Sequence, residues 1–141
     1  MARTSQKFGG PWSVLKVETV AQYLSKFNTA LKKAKLHRVY IDAFAGSGSF
    51  SFGDEAQSEM FEEFAARVHA GSAAKALATS PPFDQLFFIE GSRRNIKALK
   101  DLVKFNADDE RRAEILKGDA NKTVVDLCNK IDWRSTRGVI F

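Results

Sequence analysis

The stretch Val39-Tyr40-Ile41-Asp42-Ala43-Phe44-Ala45-Gly46-Ser47-Gly48-Ser49 decides the fold. Its β-branched and aromatic opening reads as a buried strand, which breaks into a loop with glycines two residues apart. Glycine lacks a Cβ, so it permits a tight turn and lets a ligand press against the backbone. Asp42, near the strand end, can hold a ligand amine or ribose, which suits a nucleoside better than a bare phosphate. The pattern is the first turn of a Rossmann-type sheet, whose ligands gather at the carboxyl ends of the strands.

Outward from that turn, the first strand covers roughly Arg38–Phe44, and apolar runs at Gln85–Glu90 and Ala113–Lys117 predict two more. A fourth opens at Gly138 and runs to Phe141. Between the strands the spacing is helical. Val17, Val20, Tyr23, Leu24, Phe27 and Leu31 make one long amphipathic helix from Trp12 to about Lys35. Asp54–Ala70 is a charged helical stretch, and Ser72 is the expected N-cap of a small-residue helix over 73–78. Ser92 caps a helix running to about Phe105, and another covers Lys122–Lys130. Gly9-Gly10-Pro11 and Pro81-Pro82 are breaks. Strands alternating with helices at this spacing predict an α/β fold of parallel β-α-β units. We expect residues 1–36 to be an N-terminal extension and helix, and residues 37–141 a Rossmann-like binding domain with strands ordered 3-2-1-4.

A chain of 141 residues fits one domain with a proper core. No apolar run approaches the roughly 20 residues needed to span a bilayer, and the first residues do not read as a secretory signal. Cys128 is the single cysteine, so no internal disulfide can form, which agrees with a cytoplasmic location. The net charge of +5 favours polyanions. Lys32, Lys33, Lys35, His37 and Arg38 form the densest basic group, with Arg93, Arg94, Lys97 and Lys100 next. These groups read as solvated helix faces, with nucleic-acid contact as the alternative.

Three acidic residues lie at or just past strand ends: Asp42, Glu90 and Asp119. In the 3-2-1-4 order they converge beside the glycine loop. A ligand with an amine, a ribose diol and an adenine amino group would satisfy all three, and S-adenosylmethionine is such a ligand. One carboxylate has two acceptor oxygens, so Glu90 could take both ribose hydroxyls. Asp119 could accept from the adenine amino group and Asp42 could face the methionine ammonium, with Phe44 and Ile89 as apolar walls. A nicotinamide-binding oxidoreductase fits less well. That fingerprint has a third glycine where Ser51 stands and an acidic residue about 20 positions on.

With these motifs in view, the chain resembles the three-Cys-motif partner proteins, a branch of the class I S-adenosylmethionine-dependent methyltransferase fold. The resemblance runs nearly end to end. Its marks are Phe8-Gly9-Gly10-Pro11-Trp12-Ser13, Tyr40 to Gly48, Gly71-Ser72-Ala73 and Pro81-Pro82-Phe83-Asp84. Phe88-Ile89-Glu90, Gly118-Asp119-Ala120-Asn121 and Arg137 to Phe141 complete them. The resemblance implies cofactor binding by Asp42, Phe44, Gly46, Gly48, Glu90 and Asp119, and methyl transfer to nucleic acid or its components. In the family the last strand continues into an Asp-Pro loop that resembles the one gripping a target nitrogen in amino-methyltransferases. We therefore expect the cofactor-binding half of a longer protein, inactive alone, whose fourth strand is an open edge inviting self-association. The family name implies a partner with a three-cysteine motif, of radical S-adenosylmethionine type. A non-catalytic protein docking onto that partner, through the long first helix, is the rival expectation.

Other residues read as bland. His37 and His69 have no Cys or His at ligand spacing, so no metal is expected. Cys128 reads as a core-facing helix residue, and Trp12 and Trp133 as packing anchors. Phe50 and Phe52 could stack on a base or cover the cofactor. Asn121 reads as a helix cap.

Overall fold

The structure, a computed structural model, describes residues 11–46, 71–105 and 107–141, with side chains from residue 15 onward. Expectations placed on the Asp54–Ala70 stretch, Gly48, Phe50, Phe52, His69 and the Trp12 side chain lie outside what it describes.

The elements alternate as expected. Helix α1 (Pro11–Leu31) is followed by a 3-10 turn over Lys32–Ala34 and strand β1 (His37–Asp42). Helix α2 (Ser72–Leu77) precedes β2 (Gln85–Glu90), and α3 (Arg93–Lys104) and α4 (Ala107–Arg112) precede β3 (Ala113–Lys117). Helix α5 (Ala120–Lys130) and β4 (Thr136–Ile140) complete the order. The four strands form one all-parallel sheet in the order β3-β2-β1-β4. β3 and β4 are the edges of this described sheet.

Central strands of a parallel sheet are covered on both faces and so read as continuous apolar runs. Accordingly Val39, Tyr40, Ile41 and Asp42 are all buried in β1, as are Leu86 to Ile89 in β2. Alternation splits them into two cores. Tyr40, Leu86 and Phe88 pack with Leu24 of α1, Ala73 and Ala76 of α2, Phe83, and Leu99 of α3. Val39, Ile41, Phe87 and Ile89 face the other way, against Leu116 and the α5 residues Val124, Leu127 and Cys128. Cys128 thus packs on the core.

Helix α1 buries Val17, Leu24 and Asn28, while Tyr23 remains 57% exposed. Tyr23 lies too far round the helix to reach the core and stacks instead on Phe27, with ring centroids 6.1 Å apart. Asn28, fully buried, donates its amide to the Pro81 carbonyl at 2.8 Å. Ser25 Oγ donates to the Ser80 carbonyl at 2.8 Å, so two polar side chains moor α1 to the proline turn.

Trp133 anchors the far end of the sheet. Its indole Nε1 donates to the Cys128 carbonyl at 2.8 Å. Its ring lies over Gly138, where an added Cβ would meet Trp133 Cζ3 at 3.1 Å and the Val39 carbonyl at 3.3 Å.

Candidate functional site

The parallel register brings the carboxyl ends of β1, β2 and β3 to one side. Ala45 N donates to the Ile89 carbonyl at 3.1 Å, which folds the turn after β1 across the end of β2. Gly46 then adopts φ +63°, a left-handed conformation that favours glycine. Between this turn and the loop after β3 lies a cavity of about 450 Å³, within the range of small-ligand pockets. Phe44, Ile89, Glu90, Lys117 and Asp119 line it with the small residues between them. Four of these five residues were singled out from the sequence; Lys117 was not.

Glu90 organises the cavity. Its Oε2 accepts from Gly46 N at 2.9 Å, and its Oε1 accepts from Gly91 N and Ser92 N, each at 2.9 Å. The carboxylate therefore ties the glycine turn to the start of α3. With two acceptor positions per oxygen, Oε2 keeps capacity for one further donor.

Asp119 stands opposite as the N-cap of α5, its Oδ1 accepting from Lys122 N at 3.0 Å. Its Oδ2 has no partner among the described residues. The cap expected at Asn121 belongs to Asp119 because the helix opens two residues earlier than its apolar pattern suggests, at Ala120.

Asp42 is placed differently. It is 1% exposed, lies on the Tyr40 face of β1, and does not line the cavity. Its Oδ2 accepts from Ser72 Oγ at 2.6 Å and Tyr40 Oη at 3.2 Å, and its Oδ1 from Phe44 N at 3.2 Å. Burial raises its carboxyl above the ordinary aspartate range; the Ser72, Tyr40 and Phe44 hydrogen bonds oppose this, and the charge of Glu90 adds to it. Burial, followed by the Asp42 charge, also raises the Tyr40 phenol, which stays a donor.

Ser72 is consequently not the N-cap expected. Gly71 occupies that position with no side-chain cap bond, and the Ser72 hydroxyl is spent on Asp42. Tyr40 could have been found from sequence, since residues two apart on a strand share a face. Ser72 carried no such signal. His37 lies at 3.9 Å from Asp84 Oδ2, and no group able to hold a metal occurs among the described residues.

Two larger hollows compete with this cavity. One of about 530 Å³ lies on the sheet face under α5, and one of about 580 Å³ between α2, α3 and α4. Neither is bounded by the glycine turn or by the carboxyl ends of several strands, the position where parallel sheets collect ligands.

No family model matches the chain, and no curated protein matches it. No described helix is long and apolar enough to cross a membrane.

Proposed function

We propose that this chain is the cofactor-binding portion of a Rossmann-like, S-adenosylmethionine-dependent methyltransferase acting on nucleic acid or its components. The observation that carries the reading is Glu90: a carboxylate at the end of β2, oriented by three backbone N–H groups, with acceptor capacity left toward the cavity. A ribose hydroxyl fits that capacity. An adenine amino group fits Oδ2 of Asp119, which has no partner among the described residues, and Phe44 and Ile89 supply apolar walls.

When bound, the cofactor supplies an electrophilic methyl group on sulfur. The chain's own residues position rather than react. Glu90 and Asp119 orient the nucleoside, and the Gly46 turn admits close approach. Asp42 acts from beneath, holding the Phe44 N–H and with it the wall that Phe44 forms.

Calorimetric titration with S-adenosylmethionine, wild type beside Glu90→Ala, tests the reading. Loss of hydrogen bonds to a charged group weakens binding by roughly 100-fold. Equal affinity in the variant, or no binding by well-folded wild type, would sink it. The rival reading, a non-catalytic partner of a three-cysteine protein, draws on α1, where Leu15 and Tyr23 are each 57% exposed.

A further inference from the structure

Helix α3 carries two stripes. Ile96, Leu99 and Val103 are buried, the last two in the core. Arg93, Lys97, Lys100 and Lys104 are spaced four, three and four apart, which puts them on one exposed face. The stripe extends about 16 Å along the helix axis. Beside it lies a groove of about 430 Å³, walled by Arg93, Lys97 and Lys100 and by Lys117 of β3, with Ile96 and Ile115 at its floor. Lys117 also lines the Glu90 cavity, so the groove and the cavity adjoin.

Five basic residues elsewhere are neutralised by carboxylates, whereas others, Lys32 and Lys33 among them, are not so paired among the described residues. Lys75 pairs with Glu18, Arg38 with Asp84, Arg111 with Asp108, Arg112 with Asp109 and Arg134 with Asp132. None of the six cations along α3 and the end of β3 (Arg93, Arg94, Lys97, Lys100, Lys104 and Lys117) forms an ion pair among the described residues. Asp101 is the only carboxylate on α3. A row of unneutralised cations repels itself, which a solvated face of mixed charge would avoid.

We infer that the groove between α3 and β3 binds the phosphodiester backbone of a single-stranded polynucleotide, leading it to the mouth of the Glu90 cavity. A linear row of flexible ammonium groups suits a string of phosphates, each a point-charge partner. A single row of cations matches one backbone rather than the two of a duplex. The inference bears on the nucleic-acid part of the proposed function and does not need the cofactor. Its test omits S-adenosylmethionine, so failure of either leaves the other standing.

The experiment is fluorescence-anisotropy titration of a labelled oligothymidylate of about 20 nucleotides. It compares the full chain with Lys97→Ala/Lys100→Ala and with Lys32→Ala/Lys33→Ala over a salt series. Each phosphate contact on a single strand contributes about 0.7 to the slope of log K against log salt. The α3 double variant should lower that slope by about 1.4 and weaken binding by about 25-fold at 0.1 M salt. The Lys32/Lys33 variant should change affinity by less than about 2-fold. Exposed lysine-to-alanine changes favour helix, and unchanged circular dichroism verifies the fold. Equal losses in both variants would mean diffuse attraction and overturn the inference. So would an unchanged slope, no oligonucleotide binding, or binding only to phosphatidylserine vesicles.

Discussion

Replacing Asp42 with asparagine should remove a pH dependence of stability without breaking the structure. The side chain is 1% exposed and accepts from Ser72, Tyr40 and Phe44. Asparagine can reproduce all three contacts. Its oxygen accepts from Phe44 N, and its amide offers two hydrogens to the Ser72 and Tyr40 oxygens, both able to accept. What changes is charge. Because burial raises the Asp42 carboxyl, folding favours its protonated form. The stability this contributes is fully present below the ordinary aspartate value near 3.8 and is lost as pH rises through the higher folded value. Above that value the loss is complete and constant. Each pH unit within the window is worth about 1.4 kcal/mol at most. Urea unfolding followed by circular dichroism, over a pH series from acid to neutral, should show Asp42→Asn gaining on wild type through the window and then running parallel. Comparing the two cancels the other titrating groups. Asp42→Ala, which strands three donors, should cost about 2–4 kcal/mol at acid pH and less above the window, because alanine does not titrate either. A wild-type-to-asparagine difference constant with pH, or one that moves against the variant as pH rises, would refute the reasoning.

Two other substitutions test particular contacts, beside the Glu90 and α3 experiments. Asp119→Ala removes the cap of α5 and should cost about 1 kcal/mol in urea unfolding, while Asp119→Asn should restore it. Gly138→Ala drives a methyl toward Trp133 and the Val39 carbonyl and should cost about 1–3 kcal/mol. Part of that cost should disappear in a Trp133→Ala background, because the two sites share the contact.

The strands were the most legible part of the sequence. Gln85–Glu90 and Ala113–Lys117 stand with the bounds their composition predicts, because an apolar run closed by turn residues leaves the chain few alternatives. The 3-2-1-4 order follows as well. Helix α4 was not anticipated: Ala107–Arg112 has no buried residue and no apolar stripe. Its order comes from Asp108–Arg111 and Asp109–Arg112 pairs one turn apart, and from Arg112 Nη1 donating to the Phe83 carbonyl at 2.6 Å. In the site, the acidic triplet was visible as residue type at strand ends. The division of labour within it was not. Which face Asp42 takes depends on strand register, and its partner Ser72 comes from another element 30 residues on. Asp119 illustrates a different limit, since a cap is defined by where a helix begins, the least certain feature of any periodicity.

The position of β1 has a consequence for how the protein is made. Four successive residues of this strand, Val39 to Asp42, are at most 1% exposed, yet its two neighbours arrive late. Val39 pairs with Gln85, and His37 pairs with Thr136 at the start of the last described strand. During synthesis β1 leaves the ribosome with both edges bare; Gln85–Glu90 covers one, and the other stays open until nearly all the described chain has followed. Pairings this remote also slow folding, because their closure entropy is lost before contacts reward it. The Val39–Ile41 segment is therefore the part of the nascent chain most in need of a chaperone's cover.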